Sequence, residues 1–314
     1  MKIIVTGNSG FIAKHLIDGL QKRIDVDEIW GLGRSNTGDL YFQRLSCAKN
    51  KYKEIYCDLT NLGQIRNIME NINPNVVFHL AAKSVVKEDE LDPVGISYQN
   101  YIATHNLLVC CPLNTKFVFA SSVLIHGNCH FEIQDCENDT YPSSVYGVTK
   151  RASENLIRVY HDQEKIKGVI LRLCATVGKG TTHGLLHDII KKLKSDSKYL
   201  KLLGDCPGST KPYIYIKDTI NALMLTGARE HKKLFVGNVC PQNSITVEKV
   251  AQIVMTIIGI NKEIEWLGES ANWKGDNPYI SANSYNMKNL YWQPQFPTSE
   301  LAIKQAVLDI LNEK

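Results

Sequence analysis

The 314 residues are 44% hydrophobic, enough for one large α/β core with a smaller appended region, and the composition is not that of a disordered chain. The formal charge of +4 is spread along the chain, which argues against a dedicated nucleic-acid or membrane-surface role and leaves acidic small molecules open as ligands. The nine cysteines are scattered, with an adjacent Cys110-Cys111 pair and no CxxC spacing, so reduced thiols are the simpler reading.

An apolar strand starts within two residues of Met1, leaving no room for a signal peptide, and no apolar run reaches membrane-spanning length. A cytoplasmic protein is therefore expected. Strand-length apolar runs then alternate with segments of helical period. Lys2 to Thr6 precedes Gly10 to Gln21; Glu28 to Leu32 follows; Lys53 to Cys57 precedes Asn61 to Asn71. Val76 to Leu80, Pro93 to Cys110, Lys116 to Ser121, Ser144 to His161 and Gly168 to Cys174 continue the rhythm. This alternation predicts an α/β fold with a Rossmann-type, doubly wound parallel sheet. After about Thr176 the pattern loosens, with short strands at Tyr213 to Ile216 and Lys233 to Val239 and helices at Thr246 to Ile258 and Ser299 to Asn312. The expected division is a dinucleotide-type domain over 1–175 and a smaller substrate-binding lobe over 176–314, part of which returns to the first domain.

Thr6-Gly7-Asn8-Ser9-Gly10-Phe11-Ile12-Ala13 follows the first strand and opens a helix. Two glycines there let the backbone turn tightly and approach a pyrophosphate, whose charge meets N–H groups and the positive end of the helix. Gly7, Ser9, Gly10, Phe11 and Ile12 are the expected cofactor contacts. The second strand ends Gly31-Leu32-Gly33-Arg34-Ser35-Asn36, without the acidic residue that binds the ribose hydroxyls of NAD. Arg34, Ser35 and Asn36 offer a guanidinium and hydrogen-bond donors to a 2′-phosphate, so NADP(H) is favoured, with NAD(H) as the alternative. Asp58 and Leu59 after the third strand and Leu80, Ala81 and Ala82 after the fourth are placed to line the dinucleotide; Asp58 could equally cap the helix beginning near Asn61.

Tyr146-Gly147-Val148-Thr149-Lys150 lies at the start of a helical segment, so its spacing puts phenol and ammonium on one face. An adjacent Lys⁺ favours the phenolate and makes the pair a usable proton shuttle. Ser122, at the end of the strand through Phe117 to Ala120, lies at the carboxyl edge of the sheet, where ligands of such folds bind.

Taken in order, TGNSGFIA, Asp58-Leu59, HLAA, Ser122, YGVTK and LRLCATVG resemble the extended short-chain dehydrogenase/reductases that modify nucleotide sugars, over almost the whole chain. The resemblance implies Ser122, Tyr146 and Lys150 as catalytic residues. It also implies a nucleotide-diphosphate sugar in the second lobe and a homodimer built on the two long helical segments. Lys83, Ser121, Ser122, His126, Lys211, Tyr213 and Trp273 are the expected substrate contacts, with Trp273-Lys274-Gly275-Asp276 similar to the family's late substrate loop.

The family's 4,6-dehydratases follow the catalytic hydroxyl with an Asp-Glu pair; here Val123 and Leu124 stand in those positions, which removes the acid–base groups for loss of water. His126 before Gly127 and Ala175 after Cys174 depart from the family's usual Tyr and Asn. NADPH-dependent reduction of a nucleotide-linked 4-keto sugar is slightly favoured, and NAD-dependent 4-epimerisation is the alternative. A non-catalytic cofactor-sensing or RNA-binding module is disfavoured by the intact Ser122, Tyr146 and Lys150. His126, Cys129, His130 and Cys136 crowd one loop, but their spacing matches no zinc pattern, and no metal is expected. The Lys191-Lys192-Leu193-Lys194 run ends a helical pattern, where cations complement the carbonyl end.

Overall fold

The computed structural model describes residues 1–34, 51–84, 92–128, 132–135, 140–268 and 277–312. Two compact units are present: Met1–Ile125 with Ser144–Arg172 and Ile220–Val236, and His126–Ser143 with Leu173–Thr219 and Gly237–Lys314.

In the first unit the expected alternation is realised as β1 (Lys2–Thr6), α1 (Phe11–Gln21), β2 (Glu28–Gly33), β3 (Tyr52–Tyr56), α2 (Leu62–Ile72), β4 (Val76–His79), α3 (Pro93–Cys110), β5 (Thr115–Ser122), α4 (Val145–Asp162) and β6 (Ile166–Leu173). With the strand Phe235–Val239 at one edge, the seven-stranded parallel sheet runs β6-β5-β4-β1-β2-β3 inward from that edge. The order 3-2-1-4-5-6 is that of the doubly wound dinucleotide-binding sheet, whose direction of winding reverses between β1 and β4. β4 and β5 are buried at every position, as strands covered by helices on both faces must be. Ile4, Val77, Phe117, Phe119, Ile157 and Ile170 belong to one apolar cluster that holds α4 to the sheet.

Among the core residues of β4, His79 is a buried polar group with both ring nitrogens engaged. Thr104 Oγ1 donates to the Asn100 carbonyl at 2.9 Å, so it accepts from His79 Nε2 at 3.0 Å. Nδ1 is left as the acceptor and takes the Thr6 hydroxyl at 2.8 Å. The Thr6 oxygen in turn receives the N–H groups of Leu80 and Ala81. The last residue of β1, the end of β4 and helix α3 are thereby tied at the point where the sheet reverses.

The second unit pairs short strands two by two: Ala175–Val177 with Tyr213–Tyr215, Thr210–Lys211 with Ile245–Thr246, and Tyr199–Leu202 with Glu263–Trp266. Its helices include Leu185–Leu193, Val247–Ile258 and Ser299–Leu311. The strand expected to reach Ile216 stops at Tyr215, and a helix, Ile216–Ala228, takes over. Lys191 and Lys192 do occupy the last turn of their helix. Among the described residues no helix is long and apolar enough to cross a membrane.

Burial pushes the His79 imidazole down to about 3, helped by the nearby Lys150 ammonium. In the unfolded chain it titrates near about 6.5. Between those values the unfolded chain binds the extra proton, so the contribution of neutral His79 is present above the unfolded value and is lost as pH falls toward the folded one. The urea midpoint is expected to drop between about pH 7 and about pH 4.5, and to drop less in His79→Gln than in the wild type.

Candidate active site

The glycine turn joins β1 to α1 inside the first unit. Gly7 adopts φ +68°, and a Cβ there would stand 2.8 Å from Ala81 Cα, so a left-handed conformation and a close backbone approach both require glycine. Gly10 caps α1 without any side chain, and the first turn carries no acidic residue. Its N–H groups have no intrahelical acceptor, which suits a diphosphate. Ala13, the third small position, is buried. The residues present therefore fit the phosphates of a dinucleotide.

Around this turn stand the other expected contacts. Ser9 is exposed, while Phe11, Ile12, Leu80, Ala81 and Ala82 are half-buried. Asp58 accepts from the Thr60 N–H and hydroxyl; the N–H bond above all, then the hydroxyl and the Arg34 guanidinium, hold its carboxyl below the usual range against the opposing effect of burial. The helix-capping role falls to Asn61, whose side chain accepts from Gln64 N at 3.1 Å. Leu59 is buried, and its carbonyl receives Asn106. Arg34 is exposed at the end of β2. Ser35, Asn36, Trp273 and the loop residues Cys129, His130 and Cys136 lie outside the described residues. No cluster of metal-ligating side chains occurs among the described residues.

The expected catalytic trio sits on two elements, Ser122 at the end of β5 and Tyr146 and Lys150 in the first turns of α4. Ser144 caps α4 by accepting from Gly147 N at 3.1 Å, which sets the first turn on which Tyr146 sits. One turn later Lys150 is buried, with Nζ donating to the Ala120 carbonyl at 2.6 Å. The ammonium lies over the rings of Phe119, at 4.6 Å, and Tyr146, at 5.7 Å. Ser122 ends β5 two residues after Ala120, its oxygen accepting from Leu124 N at 3.2 Å. Burial pulls the Lys150 ammonium down to about 7, and the Glu154 carboxylate works against that loss.

Lys83 has a half-buried side chain paired with Asp92 at 3.1 Å, and its backbone is clamped by the Asn100 amide. His126, Lys211 and Tyr213 belong to the second unit. His126 and Tyr213 are buried there, and Lys211 is half-buried in a two-residue strand.

Sequence reasoning did not find the support behind Lys150. Ser121, expected as a substrate contact, is buried and donates to Glu154 Oε1 at 2.5 Å. Arg172 on β6, fully buried, reaches both carboxylate oxygens of Glu154, at 3.1 and 2.9 Å, and Arg151 adds a contact at 3.3 Å. Tyr146, Lys150 and Glu154 recur every fourth residue on one face of α4, and that recurrence was the available signal. Glu154→Ala strands the Arg172 guanidinium in the core, and a loss of about 3–5 kcal/mol is expected in urea unfolding. Replacing both residues by leucine is expected to recover most of it.

Residues 3–237 match the NAD dependent epimerase/dehydratase family. The chain is 24% identical to human dTDP-D-glucose 4,6-dehydratase, over 98% of this chain and 89% of that one. It is 28% identical to an uncharacterized UDP-glucose epimerase of Bacillus subtilis, over 82% and 83% of the two chains. Among solved structures, it superposes on a UDP-galactose 4-epimerase with TM-score 0.81 and 26% identity, over 100% of this chain and 99% of that one. With the Bacillus cereus UDP-glucuronic acid 4-epimerase, solved with UDP-glucuronic acid and NAD, the TM-score is 0.84 at 25% identity, over the whole of both chains. The chain belongs to the NAD dependent epimerase/dehydratase family and is an enzyme of the extended short-chain dehydrogenase/reductase type.

Proposed function

We propose that the chain moves hydride at C4 of a nucleotide-activated hexose, and that its reaction is reduction of a 4-keto sugar with NADPH. The observation that carries this reading is the placement of Tyr146 and Lys150 against the end of β5, the strand that ends at Ser122, in the same unit as the glycine turn. The turn would hold the diphosphate of the cofactor, and Arg34 its adenosine end. When bound, the nicotinamide supplies the hydride.

The protein's own work is proton transfer and orientation. Tyr146 Oη delivers a proton to the sugar oxygen, and the Ser122 hydroxyl donates a hydrogen bond to the same atom. The ammonium of Lys150, held by the Ala120 carbonyl, stabilises the charge left on the phenol. Val123 and Leu124 stand where loss of water would need carboxylates, which weighs against dehydration even though 4,6-dehydratases are among the similar proteins. A second reading, 4-epimerisation with retained NAD, is favoured by the names of the similar solved structures.

Native and denaturing mass spectrometry of the purified protein distinguishes the two. An empty site that takes NADPH in preference to NADH supports reduction, whereas tightly held NAD replaces it with epimerisation. Tyr146→Phe is expected to lower kcat by about 10²–10⁴-fold with dinucleotide binding retained, as measured by steady-state rates and fluorescence titration. The charged form of Lys150 is lost as pH rises through its lowered pKa of about 7, so kcat/KM is expected to fall across that limb. In Lys150→Arg, whose guanidinium does not titrate there, the limb is expected to disappear from the pH profile although the rate is lower.

A further inference from the structure

β2 carries glycine at two alternate positions, Gly31 and Gly33, which share one face of the strand. That face is filled by side chains from elsewhere. A Cβ on Gly31 would lie 2.3 Å from the Tyr52 hydroxyl, and one on Gly33 would lie 2.2 Å from Asn8 Oδ1. Asn8 belongs to the glycine turn, yet it is only 2% exposed. Its Nδ2 donates to the Tyr52 hydroxyl at 3.1 Å and to Glu54 Oε1 at 3.0 Å. The Tyr52 hydroxyl donates to the same carboxylate oxygen at 2.8 Å.

A carboxylate can only accept, so the amide nitrogen is fixed on the Glu54 side and Oδ1 is fixed against Gly33. Oδ1 is buried there without a hydrogen-bond partner. Asn8 cannot swing clear of a side chain at position 33 without breaking both of its bonds. Gly33 ends β2, the location at which enzymes specific for NAD carry the acid that binds the adenosine ribose hydroxyls.

We propose that Asn8 and Gly33 form a matched pair that sets cofactor choice: Asn8, braced by Tyr52 and Glu54, fills the space that an acidic side chain at position 33 would need. The adenosine end is left to Arg34, whose guanidinium suits a 2′-phosphate. The assignment to cofactor choice rests on the reading of the turn as a dinucleotide site; the steric pairing stands on geometry alone.

Wild type, Asn8→Ala, Gly33→Asp and the double variant test both parts. In thermal melting without cofactor, Gly33→Asp is expected to lower Tm, and Asn8→Ala in the same chain to restore at least half of the loss. In direct fluorescence titration, the wild type is expected to prefer NADPH, and the NADPH-to-NADH affinity ratio to fall by about tenfold or more in the double variant. A Gly33→Asp chain that melts like the wild type, or loses as much stability with Asn8→Ala as without it, overturns the pairing. A wild type that prefers NADH, or a Gly33→Asp chain that shifts the ratio as far as the double variant, overturns the role in cofactor choice. Failure of every variant to bind either dinucleotide overturns the reading of the turn and the cofactor role with it, while the melting cycle still decides the pairing.

Discussion

A buried ammonium organises this enzyme. Lys150 gives up hydration to lie between α4 and β5, and a charge so placed survives only where acceptors and counter-charge meet it. The Ala120 carbonyl takes its hydrogen bond, the rings of Phe119 and Tyr146 flank it, and Glu154 lies one turn further along the helix. Glu154 is itself buried and needs Arg172 and Ser121 to satisfy its oxygens. The chain of requirements runs from the Tyr146–Lys150 pair through α4 into β5 and β6. It couples the placement of Tyr146 to the packing of the sheet.

The other half of the site depends on where the sheet reverses. β1 and β4 are neighbours, and their connections leave in opposite directions, which opens a crevice at their carboxyl ends. Thr6 and His79, paired at the ends of these two strands, are joined by a hydrogen-bond relay that runs on to Thr104. Above it, Gly7 brings the turn within contact of Ala81. α1 begins directly after that turn, at Phe11.

Much of this arrangement was legible in the sequence. The alternation of strand and helix through Cys174 led to the sheet, and the place of Gly7 and Gly10 after β1 led to the turn. The spacing of Tyr146 and Lys150 carried through to a shared helix face because α-helical geometry is local. Glu154 and Arg172 escaped notice because charged residues in an amphipathic pattern read as solvent-facing, and only tertiary packing buries them. The two-to-four-residue strands of the second unit are too short to show a period. At the end of β2 the missing acid was visible in the sequence, but its physical counterpart was not: Asn8 comes from the turn after β1 and Tyr52 and Glu54 from β3, and they meet only in the fold.

Hydride transfer between a nicotinamide cofactor and C4 of a nucleotide-linked sugar is the activity we propose. Its most direct test is isotope tracing with NADPH deuterated at the transferable position of the nicotinamide, across a panel of nucleotide-linked 4-keto hexoses, with the product read by mass spectrometry and NMR. Deuterium at sugar C4, in one configuration and in equal amount to the NADPH consumed, is the predicted result. Cofactor binding without deuterium in any sugar product would contradict the claim.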